Sequence, residues 1–376
     1  MKRKFLFLLS CMSALTLTGC FDSESDFLLP EIPEGSGPSD TLPDLDNPEL
    51  DDDLSDEELV YAIVDYLESS LPKTTNKNFS VLTNYEDVSL VWSVSDEEVA
   101  AVNDGIVSIV RDLEDATFTL EALITLNDYS YTGNFEVGVE KLATANEIIS
   151  ITSQNLGNEY NYLKSTSGTS FANSTVNVTQ NISNNVYVFE DYVYAHLYSE
   201  SWAVKFVHQA VFKNDYVSYN HNTKGSSSST PSKTVEENEY LNVYGIDYTD
   251  MNFAGYLMND ETILSTKYVG YENNLHMFEY DLDLSKSNEA MKIQMKEVGG
   301  LKTLPDFTEI KITIYVDNDY NLYKYDSLEY YSTIKTVGWD QHAKMEQKLS
   351  TSIIRYTDET LPDLNESIGN YITAIS

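Results

Sequence analysis

Between residues 55 and 141 the spacing of apolar positions changes from a helical period to a period of two. Leu59, Ile63, Leu67 and Leu71 recur at i+4 steps with Val60 and Val64 beside them, which predicts a helix with one buried stripe. Ser55 and Glu58 supply a capping box ahead of it, and Pro72 closes it. Val88, Leu90, Trp92 and Val94 then share one face of a strand, with Trp92 as the largest side chain. Asn103-Asp104-Gly105 predicts a turn into Ile106–Ile109, because Gly105 is free to take positive φ. Phe118, Leu120, Ala122 and Ile124 alternate with polar neighbours, as do Phe135, Val137 and Val139. Short strands at this spacing predict a small β-sandwich with a leading helix.

From about residue 142 the pattern is a short helix, near Ala143 to Gln154, followed by long strands. Val204, Phe206, His208, Ala210 and Phe212 form one strand face, and Ile310, Ile312, Ile314 and Val316 form another. Asp317-Asn318-Asp319 turns the second strand back into residues 321 to 331. A final strand near Ala343 to Tyr356 places Met345, Leu349 and Ile353 on one face, and a helix is expected from Ser287 to Gly299. Gly225 to Pro231 reads as a flexible serine loop inside one domain. The fold class expected is therefore mainly β: a small sandwich at 55–141, then a larger antiparallel α+β domain at 142–376, which is a half-barrel if its sheet is strongly curved.

Four pieces of the first region carry a family resemblance: Val91-Trp92-Ser93-Val94-Ser95, Asp104-Gly105-Ile106-Val107, Thr119-Leu120-Glu121-Ala122 and Phe135-Glu136-Val137-Gly138-Val139. In that order they resemble the atypical or atrophied bacterial immunoglobulin-like domains over about residues 72 to 140. The resemblance implies a spacer or adhesion module with no catalytic residue. It departs after Val107, where the family often has Arg-Pro and this chain has Ser108-Ile109-Val110-Arg111. More loosely, the Ile310–Val316 strand, the Asp317–Asn321 turn and the terminal strand before Pro362 resemble the half-barrels of the LolA and LppX groups. Those are lipoprotein or lipid carriers whose curved sheet holds acyl chains against helices, and the pattern speaks to fold before function.

The first twenty residues add an address. Lys2-Arg3-Lys4, an apolar run from Phe5 to Leu17 and then Thr18-Gly19-Cys20 follow the order of a secretory signal, with an apolar run too short to span a bilayer. Leu17-Thr18-Gly19-Cys20 resembles the lipobox of bacterial lipoproteins, which implies cleavage before Cys20 and a diacylglyceryl group on its thiol. The expected location is the extracytoplasmic face of a cell membrane, with the membrane itself as a partner through that lipid. Of the two cysteines, cleavage removes Cys11 and acylation uses Cys20, so a disulfide, a cysteine zinc site and a thiol nucleophile are excluded together. Residues 21 to 54 hold five of the nine prolines, the run Asp51-Asp52-Asp53 and no basic residue, as expected of a disordered acidic linker. The formal charge of −38, less the three positive charges of the signal, gives −41 for the processed chain, which argues against nucleic acid and anionic lipid surfaces.

Catalytic chemistry is sought and not found. None of His196, His208, His221, His276 and His342 has a partner at a metal-site spacing, and His208 on its apolar strand face reads as a core histidine. Asp317-Asn318-Asp319-Tyr320-Asn321 offers oxygens at alternate positions, but Leu322 stands where a calcium loop needs Gly and a hairpin explains the same residues. No catalytic residue, metal or cofactor is expected. Two features remain. Met291 and Met295, with Ile293 and Val298, are candidates for an apolar groove or for core filling. The 28 tyrosines, with groups at Tyr187, Tyr192, Tyr194 and Tyr198 and at Tyr320, Tyr323, Tyr325, Tyr330 and Tyr331, suit sugar or peptide binding if exposed. The leading expectation is non-enzymatic binding or carriage of an apolar or amphipathic ligand by the C-terminal domain. The alternative is a surface adhesion or scaffold protein that binds polysaccharide or protein.

Overall fold

The computed structural model describes residues 54–202, 205–223, 232–249, 255–336 and 340–376. The signal, Cys20, the acidic linker up to Asp53, Val204 and the serine loop lie outside the described residues. All the described residues fall within the single compact unit Gly37–Ser376.

Helix α1 (Asp56–Ser70) begins as the sequence predicts: the Ser55 side chain accepts from the Glu58 amide, and the Glu58 carboxylate accepts from the Ser55 amide and hydroxyl. Its buried stripe is Val60, Ile63 and Leu67. Eight strands follow: β1 (Thr74–Thr75), β2 (Phe79–Ser80), β3 (Asn84–Tyr85), β4 (Val88–Val94), β5 (Ala100–Asn103), β6 (Ile106–Ile109), β7 (Ala116–Leu126) and β8 (Tyr129–Val139). They form a five-stranded sheet, β1-β8-β7-β4-β3, and a three-stranded one, β2-β6-β5. Asp104 and Gly105 both take positive φ, 49° and 77°, as the tight turn between β5 and β6 requires. A methyl group on Gly105 would also lie 2.8 Å from the Thr83 side chain. The alternating faces Phe118–Ile124 and Phe135–Val139 pack with the α1 stripe into one apolar cluster. Trp92 lies at the margin of that cluster, half-buried, with its Nε1 donating to the Leu82 carbonyl at 2.6 Å.

Helix α2 (Ala145–Gly157) starts on a second capping box, Thr144 with Glu147. Beyond it lie β9 (Tyr162–Asn173), β10 (Val178–Val188), β11 (Val193–Glu200), β12 (Lys205–Lys213), β13 (Tyr216–Thr223), β14 (Lys233–Glu236), α3 (Glu237–Tyr244), β15 (Ile263–Glu272), β16 (Leu275–Leu282), α4 (Glu289–Gly299), β17 (Asp306–Val316), β18 (Leu322–Thr336), β19 (Asp340–Arg355) and α5 (Asn365–Ile375). Their eleven strands form one antiparallel sheet in the order β14-β13-β12-β11-β10-β9-β19-β18-β17-β16-β15. The fold is thus mainly β, with a large antiparallel sheet as expected.

That sheet is curled. β13 and β17 stand seven strands apart, about 34 Å if flat. Yet Tyr240 of α3 packs on Phe212 and Tyr219 at the β12–β13 end. Lys292 of α4 lies over Phe307 at the β17 end. The two helices nevertheless touch, since a methyl group on Gly245 just after α3 would meet the Ala290 carbonyl of α4 at 2.8 Å. One continuous core joins these helices, α2 and the inner faces of β9–β13 and β16–β19, which defines a concave side. Gly168 marks a close approach between strands: a Cβ there would lie 2.0 Å from the Lys348 carbonyl of β19. On the convex side, Ile368 and Tyr371 of α5 cover Leu163, Tyr187, Tyr194 and Val211.

The two regions meet at Arg111, which is 5% exposed. Its guanidinium donates to the carbonyls of Glu140 (3.0 Å), Lys141 (2.7 Å) and Asn318 (2.8 Å) and lies over the Tyr320 ring. The Ala143 amide donates to the Tyr320 hydroxyl at 2.7 Å. Among the described residues, no helix is long and apolar enough to cross a membrane.

Candidate functional site

The strand pairing sets which side chains face the concavity. Ile310, Ile312, Ile314 and Val316 of β17 lie opposite Glu329, Ser327, Tyr325 and Leu322 of β18, and all four are at most 1% exposed. They pack inside the core beneath the helices. The row is therefore covered, with Ile148 and Ile149 of α2 and Met291 and Met295 of α4 in the same core. Phe206, His208, Ala210 and Phe212 also face inward, with only Phe206 left partly exposed.

Beside the isoleucine row the concave face turns polar. Glu329, 1% exposed, accepts from the Ser327 hydroxyl at 2.9 Å and from Gln347 Nε2 at 2.9 Å. The Tyr331 hydroxyl donates to Gln347 Oε1 at 3.2 Å. Burial pushes the Glu329 carboxyl up to about 6, against the lowering effect of the Tyr256, Ser327 and Gln347 groups that face it. Tyr256 lies in the core, and its hydroxyl sits against Glu329 without a hydrogen bond of good geometry. Ser170, opposite Gln347 in register, is likewise buried and unpaired. Across the sheet the Thr166 and Thr351 hydroxyls share a hydrogen bond of 2.8 Å.

Above this face α3 and α4 enclose a cleft of about 450 Å³, lined chiefly by Leu241, Ile246, Leu257, Ala290 and Ile293, with Asp247, Lys286 and Glu289 among its polar lining. Gly245 and Gly255, both at positive φ, let the backbone pass close to Ile293 and Ile246. Leu257 is 44% exposed. Asn288, the residue before α4, is fully buried, and both its side-chain Oδ1 and Nδ2 lack a partner. Met291 and Met295 are half-buried and pack down on the core, the filler role of the two weighed from sequence.

The tyrosine groups are not a displayed surface. Tyr187, Tyr194, Tyr320, Tyr325 and Tyr331 are buried, and Tyr192, Tyr198, Tyr323 and Tyr330 are half-buried. Tyrosines do line a second cavity of about 430 Å³, at the turn end of β10–β13, where Tyr160, Tyr192 and Tyr216 stand with Glu190, Asp191, Asp215 and Glu237. Asp317 spends its carboxylate on its own hairpin, accepting from the Asp319 and Asn321 amides and Asn321 Nδ2. Among the described residues, no group of three or more His, Cys, Asp or Glu is placed to hold a metal.

Ser327 and Glu329 escape a reading of the sequence because Tyr325 and Tyr331, at the same parity, suit either face of a strand. Two polar residues between inward-facing aromatics were the available signal.

No family model matches the chain, and no curated protein matches it. Among solved structures it is similar to one described as an outer membrane lipoprotein-sorting protein domain from Vibrio parahaemolyticus, at 10% identity and a TM-score of 0.22, over 60% of this chain and 97% of that one. It is also similar to a DUF1329 family protein from Desulfovibrio piger, at 10% identity and a TM-score of 0.21, over 58% and 95% of the two chains. A likeness this loose carries no argument about function.

Proposed function

We propose that this chain is an extracytoplasmic lipoprotein, anchored through a lipid on Cys20, whose larger region captures and carries an apolar or amphipathic ligand without chemical change. The observation that carries the reading is the cleft between α3 and α4. Its volume of about 450 Å³ falls within the usual range of small-molecule sites, and its walls are aliphatic with a few polar groups. The exposed Leu257 offers apolar surface to a ligand's chain, and Lys286 and Ser287 on the lining are polar groups that a head group would meet. Leu17-Thr18-Gly19-Cys20 supports the anchor and the export.

The test is binding of a fluorescent fatty acid to the purified chain. Leu257→Glu places a charge in the apolar wall at an exposed position, so affinity should fall on the order of 10-fold while the Tm stays unchanged, given the cost of leaving a charge beside an acyl chain. Equal affinity in the two proteins would remove the cleft from the account.

A second reading, polysaccharide binding, is favoured by the other cavity alone, where exposed Tyr160 and Tyr216 stand among four carboxylates. Tyr216→Ala should abolish retention on cell-wall polysaccharide if that reading is right.

A further inference from the structure

His208, in the middle of β12, and His221, in β13, are direct cross-strand partners on the concave face. Side chains opposed in this way start from Cβ atoms about 5 Å apart, within reach of one shared atom. His208 is completely buried, and its Nε2 lies 2.8 Å from the Tyr240 hydroxyl. With the proton on Nε2 donated to Tyr240, the lone pair is left on Nδ1. That nitrogen is buried and has no partner, and the same is true of His221 Nδ1. Two bare imidazole nitrogens on facing residues represent a desolvation cost that the fold itself does not repay.

The ring separation fits a shared ion. An imidazole nitrogen about 2.1 Å from a metal puts its ring centre about 3.2 Å away, so two rings at a trigonal angle stand about 5.5 Å apart. The observed separation of the ring centroids is 5.6 Å. Burial, and for His208 also the neighbouring His221, holds both rings in the neutral form that binds metal, His208 down to about 3. Tyr219 and Tyr244 pack around His208 and Phe206 beside His221, while the His221 side chain as a whole is only half-buried.

We propose that His208 and His221 form a two-imidazole site for a transition-metal ion, copper or zinc, whose remaining positions are filled by water or by an exogenous ligand. Imidazole nitrogen is the donor these ions share. Tyr240 acts as a positioning residue, fixing the tautomer and ring orientation of His208. This departs from the sequence reading of His208 as a core histidine, and the register of β12 with β13 is what brings in the second imidazole.

The experiment is titration of the purified full chain with Zn²⁺ and, separately, Cu²⁺, in physiological salt with excess Mg²⁺ to occupy the acidic surface. One equivalent should be retained, and the Nδ1 resonances of two histidines should shift in ¹⁵N spectra. His221→Gln, at a half-buried position, should lose that equivalent with its Tm unchanged. Tyr240→Phe keeps the ring packing and should weaken binding about 10-fold. Absence of a retained equivalent in the wild type would overturn the proposal. So would undiminished binding in His221→Gln, which would move the ion to other histidines. Should His221→Gln lose its fold, the wild-type ¹⁵N spectra decide: shifts confined to histidines other than 208 and 221 overturn the site.

Discussion

The region from residue 54 to 141 and the region after it bury polar groups to very different degrees. In the first, the buried polar side chains are Thr75 and Arg111, and the core of α1 with its two sheets is aliphatic and aromatic. The second buries Glu329, Gln347, His208, His276, Ser170 and Asn288 within or beside one curled sheet, and several of their atoms lack partners. Each buried unpaired group costs about 1–3 kcal/mol. A fold built for stability alone would have replaced them, as the smaller region largely does. The difference makes the larger region the one that holds buried polar groups at a cost in stability.

Leu120→Ala deletes a completely buried side chain from the apolar core of the smaller region. It should cost about 2–5 kcal/mol, read from urea unfolding. A loss below about 1 kcal/mol would show that this core is not the well-packed one described.

Arg111→Met tests the joint. It strands the carbonyls of Glu140, Lys141 and Asn318 and should cost about 2–3 kcal/mol, since bonds from a charged donor are among the stronger ones. The two regions should then unfold in separable steps. An unchanged single transition would make Arg111 incidental.

The polar character of the larger core has a pH signature of two opposed parts. Glu329 has a folded pKa raised to about 6, so its contribution to stability is fully present below the unfolded value of 4.5 and is lost as pH rises through 6. His208 has a folded pKa lowered to about 3, so its contribution is present above the unfolded value of 6.5 and is lost as pH falls towards 3. On acidification from about pH 7 to pH 5, Glu329 therefore offsets part of the loss from His208. Glu329→Gln should lose about 1 kcal/mol more stability than the wild type across that interval. An identical pH dependence would mean that the Glu329 carboxyl is not raised by folding and titrates alike in the folded and unfolded chain.

Smallest in stability is Leu257→Glu, within about 0.5 kcal/mol of the wild type because the position is exposed, although it should weaken ligand binding.

Periodicity and capping made much of the fold legible. The Ser55–Glu58 box, the α1 stripe, the alternating faces of β7, β8, β12 and β17 and the Asp317 hairpin all sit where the spacing puts them. These are local effects, set by residues within one turn or one strand. Trp92 shares its strand face as expected but lies at the core margin, because its indole N–H must reach the Leu82 carbonyl. The site was less legible. The covering of Ile312, the burial of the tyrosines, the meeting of Glu329 with Gln347 and of His208 with His221 all depend on register between strands and on how tightly the sheet curls. No short window of sequence holds that information. Arg111 shows the same limit, since its three acceptors come from two distant stretches of chain.

The larger region is proposed to take up an apolar or amphipathic ligand in the α3–α4 cleft. The most direct test is native mass spectrometry of the chain beginning at Phe21, which lacks Cys20 and so carries no acyl group, after incubation with phospholipid vesicles and re-isolation. A complex carrying one lipid is expected in the wild type and should be depleted in Leu257→Glu. A bare chain in both proteins, with no fluorescent fatty acid bound, would contradict it.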